Sequence, residues 1–147
     1  MVDHGDVLVD HGHPGEVPAA ITAAYARIVA QGVVPLTLGG DHYVSYPILR
    51  ALHGRHGPLA LVHFDAHCDT WPDHMGAEPS GHGTWTREAI EEGLVIPAAT
   101  IQLGIRSAAE EGPREFVRKA GGRVFTAREL RGRDGAAALT PVIDEIR

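Results

Sequence analysis

The run Leu59-Ala60-Leu61-Val62-His63-Phe64 is apolar at almost every position. Six such residues without polar alternation read as a strand of a parallel sheet covered on both faces. The run also delivers the chain straight into His63-Phe-Asp-Ala-His-Cys-Asp69. The twenty residues from His63 to His82 hold four histidines, three aspartates and Glu78, out of ten histidines in the whole 147-residue chain. A stretch of that composition suits neither a surface helix nor a core strand, and its residue types are those that hold metal ions.

Apolar runs alternate with helical patterns on either side. Val7–Val9 is a short strand candidate. Val17, Ile21, Ala24 and Ile28 recur on one helical face between Glu16 and Gln31, with Gly32 placed to end the helix. Val33–Leu38 reads as a buried strand ending in Gly39-Gly40, whose glycines suit a tight turn. Val44, Ile48 and Leu52 predict a helix that tolerates Pro47 only in its first turn. A loop of about twenty residues follows the central strand, leading to a helix near Trp85–Glu92. A strand is expected over Thr100–Ile105, a helix over Pro113–Ala120, a strand over Arg123–Phe125 and a helix over Ala136–Arg147. Alternation of this kind predicts βαβ units and a parallel sheet. Residues 1–147 read as one domain. The chain starts almost on a strand and stops in a helical pattern, so it reads as the middle of a larger domain, incomplete at both ends.

Thirteen basic against nineteen acidic residues give a formal charge of −6, which argues against a nucleic-acid or anionic-membrane surface. No apolar run approaches the ~18 residues of a spanning helix, and the N-terminus lacks a basic-then-apolar signal pattern. The single cysteine, Cys68, cannot make an internal bridge and fits a reducing compartment. The expectation is a cytoplasmic protein with neither nucleic-acid nor membrane partners.

Gly39-Gly40-Asp41-His42 and His63–Asp69 both follow predicted strands, at the edge where open α/β sheets bind ligands. Asp65, His67 and Asp69 are spaced by two, so an extended backbone would aim all three one way. With His42 they form a mixed nitrogen and oxygen set suited to Mn²⁺ or another borderline divalent cation, and there are no thiolate pairs for a structural zinc.

These motifs carry a resemblance. Gly-Gly-Asp-His, then His-Phe-Asp-Ala-His-Cys-Asp-Thr, then His82-Gly83-Thr84, then Gln102-Leu103-Gly104-Ile105-Arg106 resemble the ureohydrolase family, and its agmatinase branch in particular. The resemblance implies an arginase-like three-layer α/β/α fold with a mostly parallel sheet. It also implies a binuclear manganese centre, hydrolysis of a small guanidino substrate to urea and an amine, and assembly into homo-oligomers. By the same resemblance His42 and Asp69 are ligands of one manganese, His67 of the other, and Asp65 is the catalytic carboxylate bridging both. His82 matches a histidine placed beside the substrate as proton shuttle or general acid. His63 stands where agmatinases commonly carry histidine and arginases tryptophan; a direct role and a supporting or packing role are both open for it. Cys68 departs from the common threonine and is expected to point into packing. Trp71 and Trp85 are read as core or lid residues. Asp41 either caps the following helix or orients His42.

One departure is large. The family completes its site with a downstream Asp-x-Asp motif, whereas after Asp69 this chain has Asp73, Asp134 and Asp144, none in that setting. Guanidinobutyrase, guanidinopropionase and arginase activities are alternatives to agmatinase, as is a non-catalytic remnant. A binuclear phosphoesterase would need Gly-Asn-His and Gly-His-x-His motifs that the chain lacks, and no GxGxxG follows a strand to support a dinucleotide site.

Overall fold

The computed structural model describes residues 2–72 and 80–132, and beyond them 134, 136, 137, 140, 143 and 144. Five helices and three strands are defined within them: α1 Val17–Val29, α2 Ser45–His56, β1 Leu59–Phe64, α3 Trp85–Glu91, β2 Val95–Ile105, α4 Glu111–Lys119, β3 Arg123–Thr126 and α5 Ala127–Leu130. The helix expected over Ala136–Arg147 lies for the most part outside the described residues, as do Asp73, His74 and Glu78.

The three strands form one parallel sheet in the order β1-β2-β3. Parallel neighbours need a crossover, and the helices supply it. In register, Val62 lies opposite Ile101, His63 opposite Gln102 and Phe64 opposite Leu103. Alternation then puts Ile101 and Leu103 on one face, where Phe125 and Leu130 of α5 pack, and His63 and Gln102 on the other. On that second face Trp85 and Ala89 of α3 join Tyr46 of α2, Leu94 and Val95 in the main core cluster. A helix on each face makes the arrangement an α/β/α sandwich, as expected. Tyr46 and Arg50 both bond Glu92, tying α2 to the end of α3. A smaller cluster joins Ile21 and Tyr25 of α1 to Ala51 of α2. Pro47 lies in the first turn of α2, where its missing N–H is harmless.

Two expected strands do not form. Val33–Leu38 runs without ladder hydrogen bonds, and Val34 and Leu38 are 96% and 94% exposed. Val7–Val9 likewise remains irregular, although Val7 and Val9 pack against the α1–α2 cluster and only Leu8 points outward. A strand exists only through a partner, and an apolar run does not specify one. β1 is for the same reason half covered: Val62 and Phe64 are exposed on the Ile101 face, whereas His63 is buried. A groove of about 680 Å³ separates the end of the 33–38 segment from β1, with Thr37, Gly40, His42, Val62, His63 and Trp85 along it. Exposure at Val34 and Leu38 makes a direct prediction. Substituting either by serine is expected to move the denaturation midpoint of the 147-residue chain by less than about 0.5 kcal/mol in stability. A loss of several kcal/mol would place these side chains in a core.

Candidate metal centre

The site assembles where β1 ends and where the chain enters α2. Asp41 accepts the Tyr43 amide at 2.7 Å and so caps the 3₁₀ turn His42–Val44 that runs into α2. Of the two roles open to Asp41, the structure shows the cap. Gly39 and Gly40 are not in the left-handed conformation that a tight glycine turn would use.

Beyond Phe64 the backbone does not continue extended. The Asp65 amide donates to Leu103 O at 3.1 Å, and Ala66 O accepts the Arg106 and Ser107 amides at 2.9 and 3.0 Å. Gly104, with φ of +90°, permits this approach, since a Cβ there would stand 3.2 Å from Asp65 O. Asp65 Oδ1 takes the His67 amide at 2.8 Å, which bends the chain at Ala66–His67. Asp69 adopts φ of +51°, a left-handed conformation that aspartate tolerates better than most residues. Its carbonyl accepts the Thr86 and Arg87 amides in the first turn of α3, and its Oδ2 accepts the Trp85 indole N–H at 2.8 Å. The bend, not an extended backbone, brings Asp65 and Asp69 together. It leaves the ring of His67 outside and mostly exposed.

Four candidate donor atoms converge. His42 Nδ1 lies 3.2 Å from Asp65 Oδ2 and 2.9 Å from Asp69 Oδ2. His63 Nε2 lies 3.4 and 3.7 Å from the same two oxygens. One donor atom from each of these four residues falls within 4.8 Å of all the others. The second oxygen of Asp65 faces away from this cluster, 3.4 Å from His67 Nδ1. His82 is exposed on the turn that leads into α3. Cys68 is buried, in keeping with its expected packing role.

The hydrogen bond to Asp69 holds the His42 imidazole above its ordinary pKa, against a partial burial that works the other way. Burial pushes His63 below the ordinary histidine value, with the Asp69 and Asp65 charges opposing. Burial raises the Asp65 carboxyl, yet the His67 amide and the His63 and His42 imidazoles together outweigh it and keep it below the usual range. Two carboxylates and two imidazoles thus meet in a largely buried place. Such a set of converging nitrogen and oxygen donors fits a borderline divalent cation.

Two residues of this environment escaped the sequence reading in their present roles. Trp85 is core, as read, but its indole also fixes Asp69. A buried indole N–H seeks an acceptor, which was the available signal. Gln102, fully buried between Ile101 and Leu103, bonds His63 Nδ1 and Cys68 O. A polar amide inside an apolar strand demands such partners.

Comparison with known proteins follows the same lines. The arginase family model matches residues 1–147. The chain is 46% identical over 108 residues to the agmatinase of Chromobacterium violaceum, covering 73% of this chain and 33% of that protein. It is 40% identical over 150 residues to the guanidinobutyrase of Pseudomonas aeruginosa, covering all of this chain and 45% of that one. A crystal structure of a hypothetical agmatinase from Burkholderia thailandensis superposes with a TM-score of 0.83 at 36% identity, over 97% of this chain and 43% of that chain. The chain thus spans between a third and a half of the length of the relatives it matches. A parallel α/β/α sheet, a His and Asp cluster at its strand ends and a family match from the first residue to the last agree, and the chain belongs to the arginase family.

Proposed function

We propose that this chain carries the manganese-holding part of a ureohydrolase that cleaves a guanidino compound to urea and an amine, with agmatine the leading substrate. The convergence of His42 Nδ1, Asp65 Oδ2 and Asp69 Oδ2 carries this reading. When bound, a manganese pair supplies a water whose pKa is lowered towards neutrality, the nucleophile that an electron-poor guanidinium carbon needs. The residues have separate tasks. His42, Asp65 and Asp69 would hold one ion, and Asp65 with His67 would contribute to the second. The departing amine needs a proton, and His82, on the turn before α3, is the group we assign to deliver it, imidazole being suited to proton transfer near neutral pH. The groove beside β1 opens onto His42 and His63 and has the volume of a small-molecule site.

The agmatinase reading rests on the His-Phe-Asp-Ala-His wording and on the relatives that bear that name. The guanidinobutyrase at 40% identity over the full chain favours the second reading, a guanidino acid as substrate.

Among the described residues, the second position has only Asp65 and His67. An ion held by so few protein groups keeps several waters and binds weakly. Metal content after dialysis is accordingly expected to be about one Mn²⁺ per chain, with no measurable urea from agmatine. Two firmly held ions with urea release would show that other carboxylates, Asp73 or Glu78 being nearest in sequence, complete the site. A chain that holds no manganese, or holds it equally well after Asp69→Ala, would overturn the metal centre. In any form that releases urea, a panel of agmatine, 4-guanidinobutyrate, 3-guanidinopropionate and arginine separates the two substrate readings.

A further inference from the structure

We infer that Gln102 holds His63 as its Nε2–H tautomer, so that His63 is a hydrogen-bond donor positioning Asp65 beside Asp69 and not a fourth ligand of the ion between them. The inference rests on the metal-centre reading above. His63 and Gln102 are direct partners across β1 and β2, and both are buried. The Gln102 amide nitrogen lies 2.6 Å from the Cys68 carbonyl oxygen and 3.1 Å from His63 Nδ1. A carbonyl oxygen only accepts, so the amide atom facing it is the nitrogen; the reversed amide would press two acceptors together. Among the described residues the buried amide oxygen has no hydrogen-bond partner, so the NH₂ end anchors the side chain.

An NH₂ group offers two hydrogens and accepts none. One goes to Cys68 O and the other to His63 Nδ1, which must therefore present its lone pair. The hydrogen of the neutral ring is then on Nε2, the atom facing Asp65 Oδ2 and Asp69 Oδ2 at 3.4 and 3.7 Å. An imidazole binds a metal through a lone pair. In His63 one lone pair is taken by Gln102, and the other nitrogen carries hydrogen towards the carboxylates. Ring contacts of 4.9 Å with Trp85 and 5.3 Å with His42 fix the plane of the ring. His63 and Gln102 are thus positioning residues that orient ligand oxygens, a role that outer partners of metal sites commonly fill.

The test is long-range ¹H–¹⁵N correlation on the 147-residue chain with ¹⁵N-labelled histidine, first metal-free and then titrated with diamagnetic Zn²⁺. His63 is assigned by the signals lost in His63→Phe. A lone-pair Nδ1 and a protonated Nε2 for His63 throughout, with His42 Nδ1 shifting on Zn²⁺, is the expected result. Gln102→Leu and His63→Phe should each weaken Mn²⁺ binding about 10–100-fold, and His63→Gln, which restores an N–H donor, should recover most of the loss. A protonated Nδ1 in the unmodified chain, a Zn²⁺-bound His63 Nε2, or wild-type affinity in His63→Phe would overturn the inference. Zn²⁺ that shifts no histidine would instead overturn the metal centre itself, and the metal-free spectrum would still decide the tautomer. The unmodified chain answers that question whether or not a variant folds.

Discussion

Asp65→Ala is expected to abolish saturable Mn²⁺ binding by the 147-residue chain, as read by titration calorimetry. Asp65 supplies one of the three atoms proposed to hold the first ion, and its other oxygen faces His67. Losing a direct ligand should exceed the roughly 10–100-fold cost of losing an outer partner. The same oxygen that faces His67 also receives its amide, so alanine removes a loop restraint as well. Asp65→Asn separates the two effects. Its amide oxygen can keep the His67 bond, while the negative charge needed by the cation is gone. Binding should be lost in both variants, with circular dichroism unchanged in the asparagine form. Retention of near-normal affinity by Asp65→Asn would mean that the ion sits elsewhere.

The second large effect is at Trp85. Its side chain is 2% exposed and packs with Tyr46, Ala89, Leu94 and Val95. Trp85→Ala is expected to cost about 3–5 kcal/mol, the usual range for truncating a buried aromatic. Against the roughly 5–15 kcal/mol that hold a typical domain together, this is enough to endanger folding. The midpoint in urea should fall with little change in slope. Trp85→Phe retains most of the packing but removes the indole N–H from Asp69 Oδ2. It should cost much less stability and still weaken Mn²⁺ binding by about 10–100-fold. Equal metal affinity in Trp85→Phe would show that the indole does not orient Asp69. A cost below about 1 kcal/mol for Trp85→Ala would remove Trp85 from the core.

Helix periodicity was legible to within a few residues: the face of Val17, Ile21, Ala24 and Ile28 became α1, and the end signal at Gly32 lies just beyond it. Side-chain spacing along one helix is a local property, so sequence suffices for it. Strands were less legible. Leu59–Phe64 and Val33–Leu38 look alike as apolar runs, yet only the first found a neighbour, in β2. Thr100–Ile105 was read as a strand, but β2 begins five residues earlier at Val95, because its pairing with Leu59 extends it. Each difference lies in hydrogen bonds made to residues distant along the chain.

The site divides in the same way. Residue types and their placement after apolar strands were enough to single out His42, Asp65, His67 and Asp69 as metal-binding candidates, because donor chemistry belongs to the side chain itself. Tertiary structure decided how they meet. The spacing of two suggested an extended backbone, but hydrogen bonds with Leu103, Arg106 and Ser107 bend the chain, draw Asp69 against Asp65 and leave the His67 ring exposed. Trp85, sixteen residues from Asp69, and Gln102, thirty-nine from His63, become partners only after α3 and β2 have packed against β1. Sequence by itself determined the donor chemistry each side chain offers. Which nitrogen of His63 carries its hydrogen, and which oxygen of Asp65 faces which histidine, depend on groups across the sheet, since the direction of a hydrogen bond is a property of a pair of atoms in space and not of either residue alone.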